Sequence, residues 1–314
     1  MGYLETQWQR GRKIYGKRSW RETRRTFLHT MRSIRNKQEI EALESYFASY
    51  TPDPTLLDRQ VGLFELMTRY FLFKSSTPQE RLEAIINHFD YLKDVFTDEA
   101  IREMYSVDPD NIYDDVSRMN RGFIVWESED LDMVARLYYG PGQRKEGFLT
   151  LLLTLGKQGV YHANFRLGKG FNGEPAMWIG TIQGYKDGLD NAKTVTKKMF
   201  GYRPKNFIMF LLRHIAVLCK VESIYAVSDE GFYANTHLVR GHRAKVAELD
   251  PLWEESGGVV CSDDRFFNIP LEEYRKPIEE IKSQKRSQYR KRYELLDQYE
   301  QEIQEHLKPL LRVK

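Results

Sequence analysis

Apolar residues in the early part of the chain recur at helical spacing. In "SWRETRRTFLHTMRSIRNK" they are Trp20, Phe27, Met31 and Ile34, and in "LLDRQVGLFELMTRYF" they are Leu57, Val61, Phe64, Met67 and Phe71. Stripes of this kind predict helices that pack on a core through the apolar side. "TPQERLEAIINHFDYLKDVF" adds a start signal, with Thr77 as cap, Pro78 at the first helical position and Glu80 three residues after the cap. Residues 1–118 are expected to form a helical N-terminal domain with a basic start.

Near Arg121 the period shortens. "GFIVWESEDLDMVARLYYGPGQRKEGFLTLLLTLGKQGVYHANFRLGKGFNGEPAMWIGTIQGY" consists of short apolar or alternating runs separated by turn-forming stretches, the pattern of an antiparallel meander. Helical spacing returns in "DNAKTVTKKMF" and "PKNFIMFLLRHIAVLCKV", followed by strands at "SIYAVS" and "RFFNIPL". The predicted fold class is α/β (α+β): the helical domain, then a mixed, mainly antiparallel sheet flanked by helices over 119–272. Residues 273–314 are read as one long charged helix from Lys276 onward, lying on the body through Ile278, Ile281, Tyr289, Tyr293, Leu296, Tyr299, Ile303 and Leu307.

Composition narrows the class. The 314 residues are 41% hydrophobic and 13% aromatic, enough for a substantial core, and the net charge of +3 dictates no particular partner. Cys219 and Cys261 form no CxxC pair, which favours a reducing, cytoplasmic compartment. The absence of a long uncharged apolar run argues against a spanning helix, and no HExxH, paired Cys/His, GxSxG, Walker or GxGxxG pattern occurs, so no metal site is expected. The charge is local: Arg10, Arg12, Lys13, Lys17, Arg18, Arg21, Arg24, Arg25, Arg32, Arg35 and Lys37 face only Glu5 and Glu22 over that stretch. Such a start suits a solvated face, an anionic membrane surface, or RNA phosphates, a tRNA among them.

Candidate chemistry gathers around the sheet. "IYAVSDEGFYANTH" ends a strand with Ser228 and Asp229 and continues through Tyr233 to His237. His237 or Asp229 could take a proton from an acceptor and Tyr225 or Tyr233 supply one; equally, Ser228 and Asp229 could cap a turn. Strand pleating places His162, Asn164 and Arg166 on one face, either lining the acceptor side of a cleft or facing solvent. Arg203 and Lys205 flank Pro204 at a helix start and could hold an anion, or simply be solvated.

Meander, helix and new strand together resemble the acyl-CoA N-acyltransferase fold. That resemblance implies donor contacts from Gln183, Gly184 and Lys186, with Arg203 and Lys205, although "QGYKDG" departs from the usual phosphate-loop pattern. The element order, "VYHANFRLG", "MWIGTIQG", "YRPKNFIMFLLRHIA" and "IYAVSDEGFYANTH" also resemble the VirK/YbjX family of Gram-negative bacteria. A Ser-Asn pair expected there after the strand is Ser228-Asp229 in this chain. The resemblance implies a cytoplasmic or inner-membrane-peripheral protein linked to envelope integrity, virulence and antimicrobial-peptide tolerance. The resulting expectation is transfer of an acyl or aminoacyl group to an amine or hydroxyl on a small-molecule or peptide acceptor. No tightly bound cofactor is expected, and the donor would be acyl-CoA or another acyl or aminoacyl donor, aminoacyl-tRNA included. The alternative is a non-catalytic factor held at a membrane surface.

Overall fold

In the computed structural model, which describes residues 2–106, 121–185, 189–235 and 248–312, the early periodicity becomes a layer of helices. They are α1 (Tyr3–Tyr15), α2 (Trp20–Arg35), α3 (Lys37–Ala48), α4 (Leu56–Arg59), α5 (Phe64–Thr68), α6 (Pro78–Val95) and α7 (Asp98–Met104). The capping box at α6 forms as its sequence dictates, with Thr77 and Glu80 satisfying each other's backbone N–H groups. Two expectations change. The Leu57–Phe71 stripe is broken at Gln60, the two short helices α4 and α5 being joined by a 3-10 turn at Val61–Leu63. All five residues of α5 are buried, so no polar face is available to extend it as a surface helix.

The second change concerns α2. Trp20, Phe27, Met31 and Ile34 were expected to pack inward, yet they are 80%, 53%, 46% and 44% exposed. The side turned to the body instead carries Thr26, His29, Thr30 and Ser33, all buried. Polar bonds hold it there: His29 Nδ1 lies 3.0 Å from Thr68 Oγ1, Arg32 donates to the Thr68 carbonyl at 3.1 Å, and Asn36 donates to the Met67 carbonyl at 2.6 Å.

The described strands build one sheet: β1 (Phe123–Ser128), β2 (Met133–Tyr138), β3 (Leu149–Leu155), β4 (Gln158–Lys169), β5 (Pro175–Gly184), β6 (Ser223–Val227), β7 (Val259–Val260) and β8 (Phe266–Ile269). Their order is β1-β2-β3-β4-β5-β6-β8-β7, antiparallel everywhere except the parallel β5–β6 pair. Between those two strands run α8 (Leu189–Lys198) and α9 (Pro204–Leu218); α10 (Asp250–Glu255) follows β6. The β5–β6 pairing covers only Ala176–Ile179 against Ser223–Ala226, while β5 continues to Gly184 paired with β4 alone. The sheet therefore opens between β5 and β6 beyond Ile179.

One face of the sheet is packed by α9 and the long α11 (Ser283–Leu307), with Trp126 of β1 set edge-on to Phe207 at 4.7 Å and to Tyr299 at 4.6 Å. The other face meets α6, where His88 contacts Phe148 beside β3. The expected C-terminal helix begins only at Ser283, because Pro277 leads into a separate 3-10 turn at Ile278–Glu280 and Ile281 and Lys282 are extended. Of its predicted stripe, Leu296, Tyr299, Ile303 and Leu307 are the residues of α11 that are buried.

Candidate active site

The loop from β2 to β3, "GPGQRKEGF", runs over β4 and β5. Pro141–Gln143 forms a 3-10 turn, and the next three residues point to three different destinations. Arg144 pairs with Glu65 of α5. Lys145 lines a cavity of about 300 Å3, and Glu146 meets Asn164 of β4. Two glycines permit this path. A Cβ at Gly180 would sit 1.8 Å from the Glu146 carbonyl oxygen, and one at Gly147 would sit 2.5 Å from the Phe165 nitrogen, so the loop backbone lies directly on β4 and β5. Gly180 is also where the β4–β5 register slips, between the pairs Asn164–Thr181 and Phe165–Ile179.

The cavity is lined by Arg121, Tyr138, Gln143, Lys145, Thr150, His162 and Tyr185 among others. Cross-strand register explains the convergence, since Tyr138 stands opposite Thr150, Thr150 opposite Asn164, and His162 opposite Gln183. The His162 ring packs edge-on to Tyr185 with centroids 5.4 Å apart. Thr150 donates to Asn164 Oδ1 at 2.9 Å, and Asn164 Nδ2 donates to Glu146 Oε2 at 2.9 Å. Burial pushes the Glu146 carboxyl up to about 7, against the opposing influence of the Asn164 hydrogen bond and Lys145. Burial likewise lowers Lys145, partly offset by Glu146. A depressed amine, an imidazole and two phenols thus share a recess on the sheet, with the Glu146 carboxyl linked to it through Asn164 and Thr150, a combination characteristic of functional sites.

The other sequence candidates lie as follows. Arg166 is buried on the face of β4 that carries His162, its guanidinium 4.5 Å from the Trp178 ring, and Trp178 in turn stacks near Tyr225 at 4.6 Å. The Tyr225 hydroxyl donates to Glu174 at 2.6 Å. Ser228 Oγ donates to the Asp264 carbonyl and accepts from Gly231 N–H; the Asp229 carboxylate accepts from Leu249 N–H at 2.9 Å beside α10. Tyr233 packs against Phe71 and Phe232. Gln183 donates to Thr181 Oγ1 at 3.2 Å, and Gly184 faces Tyr161. His237 and Lys186 lie outside the described residues. Arg203 and Lys205 both pair with Glu255 of α10 and line a second cleft of about 590 Å3 on the opposite side of β4, with Tyr161, Lys193 and Lys197.

Sequence reasoning passed over Lys145, Glu146 and Thr150, and took Tyr185 as part of the phosphate loop "QGYKDG". The available signal was the charged triplet Arg144-Lys145-Glu146 closed in by Gly142 and Gly147: three long charged chains have little reason to occupy so short a turn between two apolar strands unless each has a partner. Among the described residues no group of three or more His, Cys, Asp or Glu could hold a metal ion, and no helix is long and apolar enough to cross a membrane.

Comparison with known proteins gives kinship rather than chemistry. The chain is 28% identical over 257 residues to "Uncharacterized protein YbjX" of Escherichia coli (strain K12), covering 77% of this chain and 71% of that protein. Two proteins of Haemophilus influenzae (strain ATCC 51907 / DSM 11121 / KW20 / Rd), each described as "Uncharacterized protein", are 30% identical over 167 residues and 23% identical over 313 residues. The first match spans 51% of this chain and 53% of its relative, the second 96% of both. No solved structure matches the chain significantly. The family described as "Protein of unknown function (DUF535)" matches residues 18–305, a span holding α2, the sheet, the cavity and most of α11, and with the YbjX similarity it shows that the chain belongs to that family.

Proposed function

We propose that the cavity between the Gly140–Gly147 loop and β4 transfers an acyl or aminoacyl group to an amine or hydroxyl acceptor. The observation that carries this reading is His162 in a walled recess with Lys145 beside it and the Thr150–Asn164–Glu146 chain behind it. The acceptor's nucleophilic atom bonds to the acyl carbon, the bond to the donor's sulfur or oxygen breaks, and the acceptor's proton passes to His162 and on to the leaving group. The role proposed for Lys145, which lines the same cavity, is to offset the oxyanion's charge, with a hydroxyl of Tyr138 or Tyr185 donating to it. Glu146 and Asn164 are positioning residues.

The sheet topology supports the same class. A mainly antiparallel sheet that opens after one parallel pair, with helices crossing over between those strands, offers a gap for an extended donor, as in N-acyltransferase-like proteins. The second cleft, with Lys193, Lys197, Arg203 and Lys205, suits donor phosphates, which would compete with Glu255 for the last two cations. The envelope role implied by the YbjX resemblance enters through the acceptor, an amine or hydroxyl of an envelope component.

The test is to incubate the purified chain with a panel of acyl-CoAs and aminoacyl-tRNAs and mixed amine and hydroxyl acceptors, following donor consumption and product mass. Transfer that His162→Ala lowers on the order of a hundredfold or more, with the fold intact, is the expected result. Failure of every donor, or an unchanged rate in His162→Ala and Lys145→Met, would sink the reading.

A further inference from the structure

We propose that α2 is an in-plane anchor that seats this protein on an anionic lipid surface. The inference is independent of the cavity's chemistry. It rests on the orientation of α2, whose apolar stripe of Trp20, Phe27, Met31 and Ile34 faces outward and whose body-facing side is made of small polar residues and His29. Such a helix cannot be explained as a core element that happens to have one exposed residue, because the inward side is already bonded to α5 through Thr68 and Met67. Close approach to α1 seals that side: a Cβ at Gly11 would come within 2.9 Å of Thr26.

The charge pattern selects the partner. At about 100° per residue, Arg21, Arg24, Arg25 and Arg35 project on one flank of the stripe, between it and the buried side. Lys17 and Arg18 are exposed just before Trp20. A segment with a concentrated apolar stripe and a continuous cationic flank is matched by the acyl–headgroup boundary of a membrane containing anionic lipid: the stripe leaves water while the arginines stay at phosphate level. Trp20 at the helix start is suited to that boundary by its amphipathic ring. Another copy of this chain would have to cover the stripe with an apolar patch while bringing two arginine-rich flanks together, which repels. RNA would call for cations and aromatic rings alternating on one surface, whereas here they lie on separate ones.

The experiment uses the full chain in co-sedimentation with vesicles of pure phosphatidylcholine and of equal parts phosphatidylcholine and phosphatidylglycerol, at low and high salt. The expected result is binding to the mixed vesicles only, weakened by salt, with each arginine changed to glutamine lowering the partition constant about fivefold. Trp20→Ser combined with Phe27→Ser should lower it by at least about tenfold while leaving the circular dichroism melt unchanged, since both side chains are exposed. Equal binding to neutral vesicles, or binding indifferent to Trp20→Ser and Phe27→Ser, would overturn the proposal. So would a wild-type dimer that the same double variant converts to monomer, or nucleic acid retained through purification and released by the arginine variants. Neither the vesicle assay nor its variants involve the cavity, so failure here leaves the transfer reading standing, and the reverse.

Discussion

α2 and α9 share a helical apolar period yet have opposite fates. In α9 the residues from Phe207 to Leu212 are buried nearly all round, and Phe207 sits among Trp126, Phe210 and Tyr299. In α2 the stripe looks into solvent and hydroxyls face the body. The difference lies in what fills the remaining positions. α9 has too few polar residues to cover a surface, so the sheet must cover it. α2 has arginines enough for water and threonines and serines small enough to let α1 and α5 come close. Periodicity therefore reports that a helix is amphipathic, and only the size and polarity of the opposite side report which way it turns.

The comparison can be broken hardest at Phe207. Phe207→Ala should cost about 4 kcal/mol, as truncation of a fully buried aromatic does, measured by urea unfolding. A loss under about 1 kcal/mol would mean that α9 is not the core element described. His88→Ala comes next. His88 Nδ1 accepts from Leu167 N–H at 3.1 Å and its other nitrogen lies 2.8 Å from the Tyr105 hydroxyl, which donates to the Phe148 carbonyl. Removing the ring strands the buried Leu167 N–H and takes from the Tyr105 oxygen the N–H that it accepts, and should cost about 3 kcal/mol. Burial, with the Arg166 charge, pushes His88 down to about 3, so the ring stays neutral in the fold. A protonation signal for His88 near neutral pH would contradict that.

Glu146 gives a smaller effect with a pH signature. Its folded pKa is raised from 4.5 to about 7, so its contribution is fully present below about pH 4.5 and lost as pH rises through about 7. Glu146→Gln keeps an acceptor for Asn164 and removes the buried charge, so it should raise stability by about 2 kcal/mol above pH 7 and leave it nearly unchanged in acid. A melting-temperature difference that stays flat with pH would show that the carboxyl is not held as described.

Much of the fold was legible because it follows from local chemistry. The Thr77–Glu80 capping box, the meander with its turns, and the apolar helix after Pro204 each appear where the residues require them. The pleat of β4 likewise put His162 and Asn164 on one side of the strand, as alternation demands. The site was less legible because its halves come from distant places: His162 is framed by a loop whose path depends on Gly147 and Gly180 meeting backbones that the sequence does not show to be neighbours. Ser228 and Asp229 form a polar cluster with hydrogen bonds to Asp264, Gly231, Leu249 and Asp250 around the β6 end and α10. Polar residues after a strand signal a rim, but turns and active sites use the same side chains.

The smallest expected effect is the most telling for the comparison. Phe27→Ser in α2 removes an aromatic that is 53% exposed, so its folding cost should fall within about 0.5 kcal/mol, the range of ordinary surface changes. The same measurement that reads the loss at Phe207 thus reads almost nothing at Phe27, although both are phenylalanines in strongly patterned helices. A loss of about 2 kcal/mol or more at Phe27 would mean that the stripe is covered within the folded chain and that α2 behaves as α9 does. A near-zero cost leaves a large apolar side chain retained on the surface without benefit to folding, and its use must then be sought in what α2 touches outside the molecule.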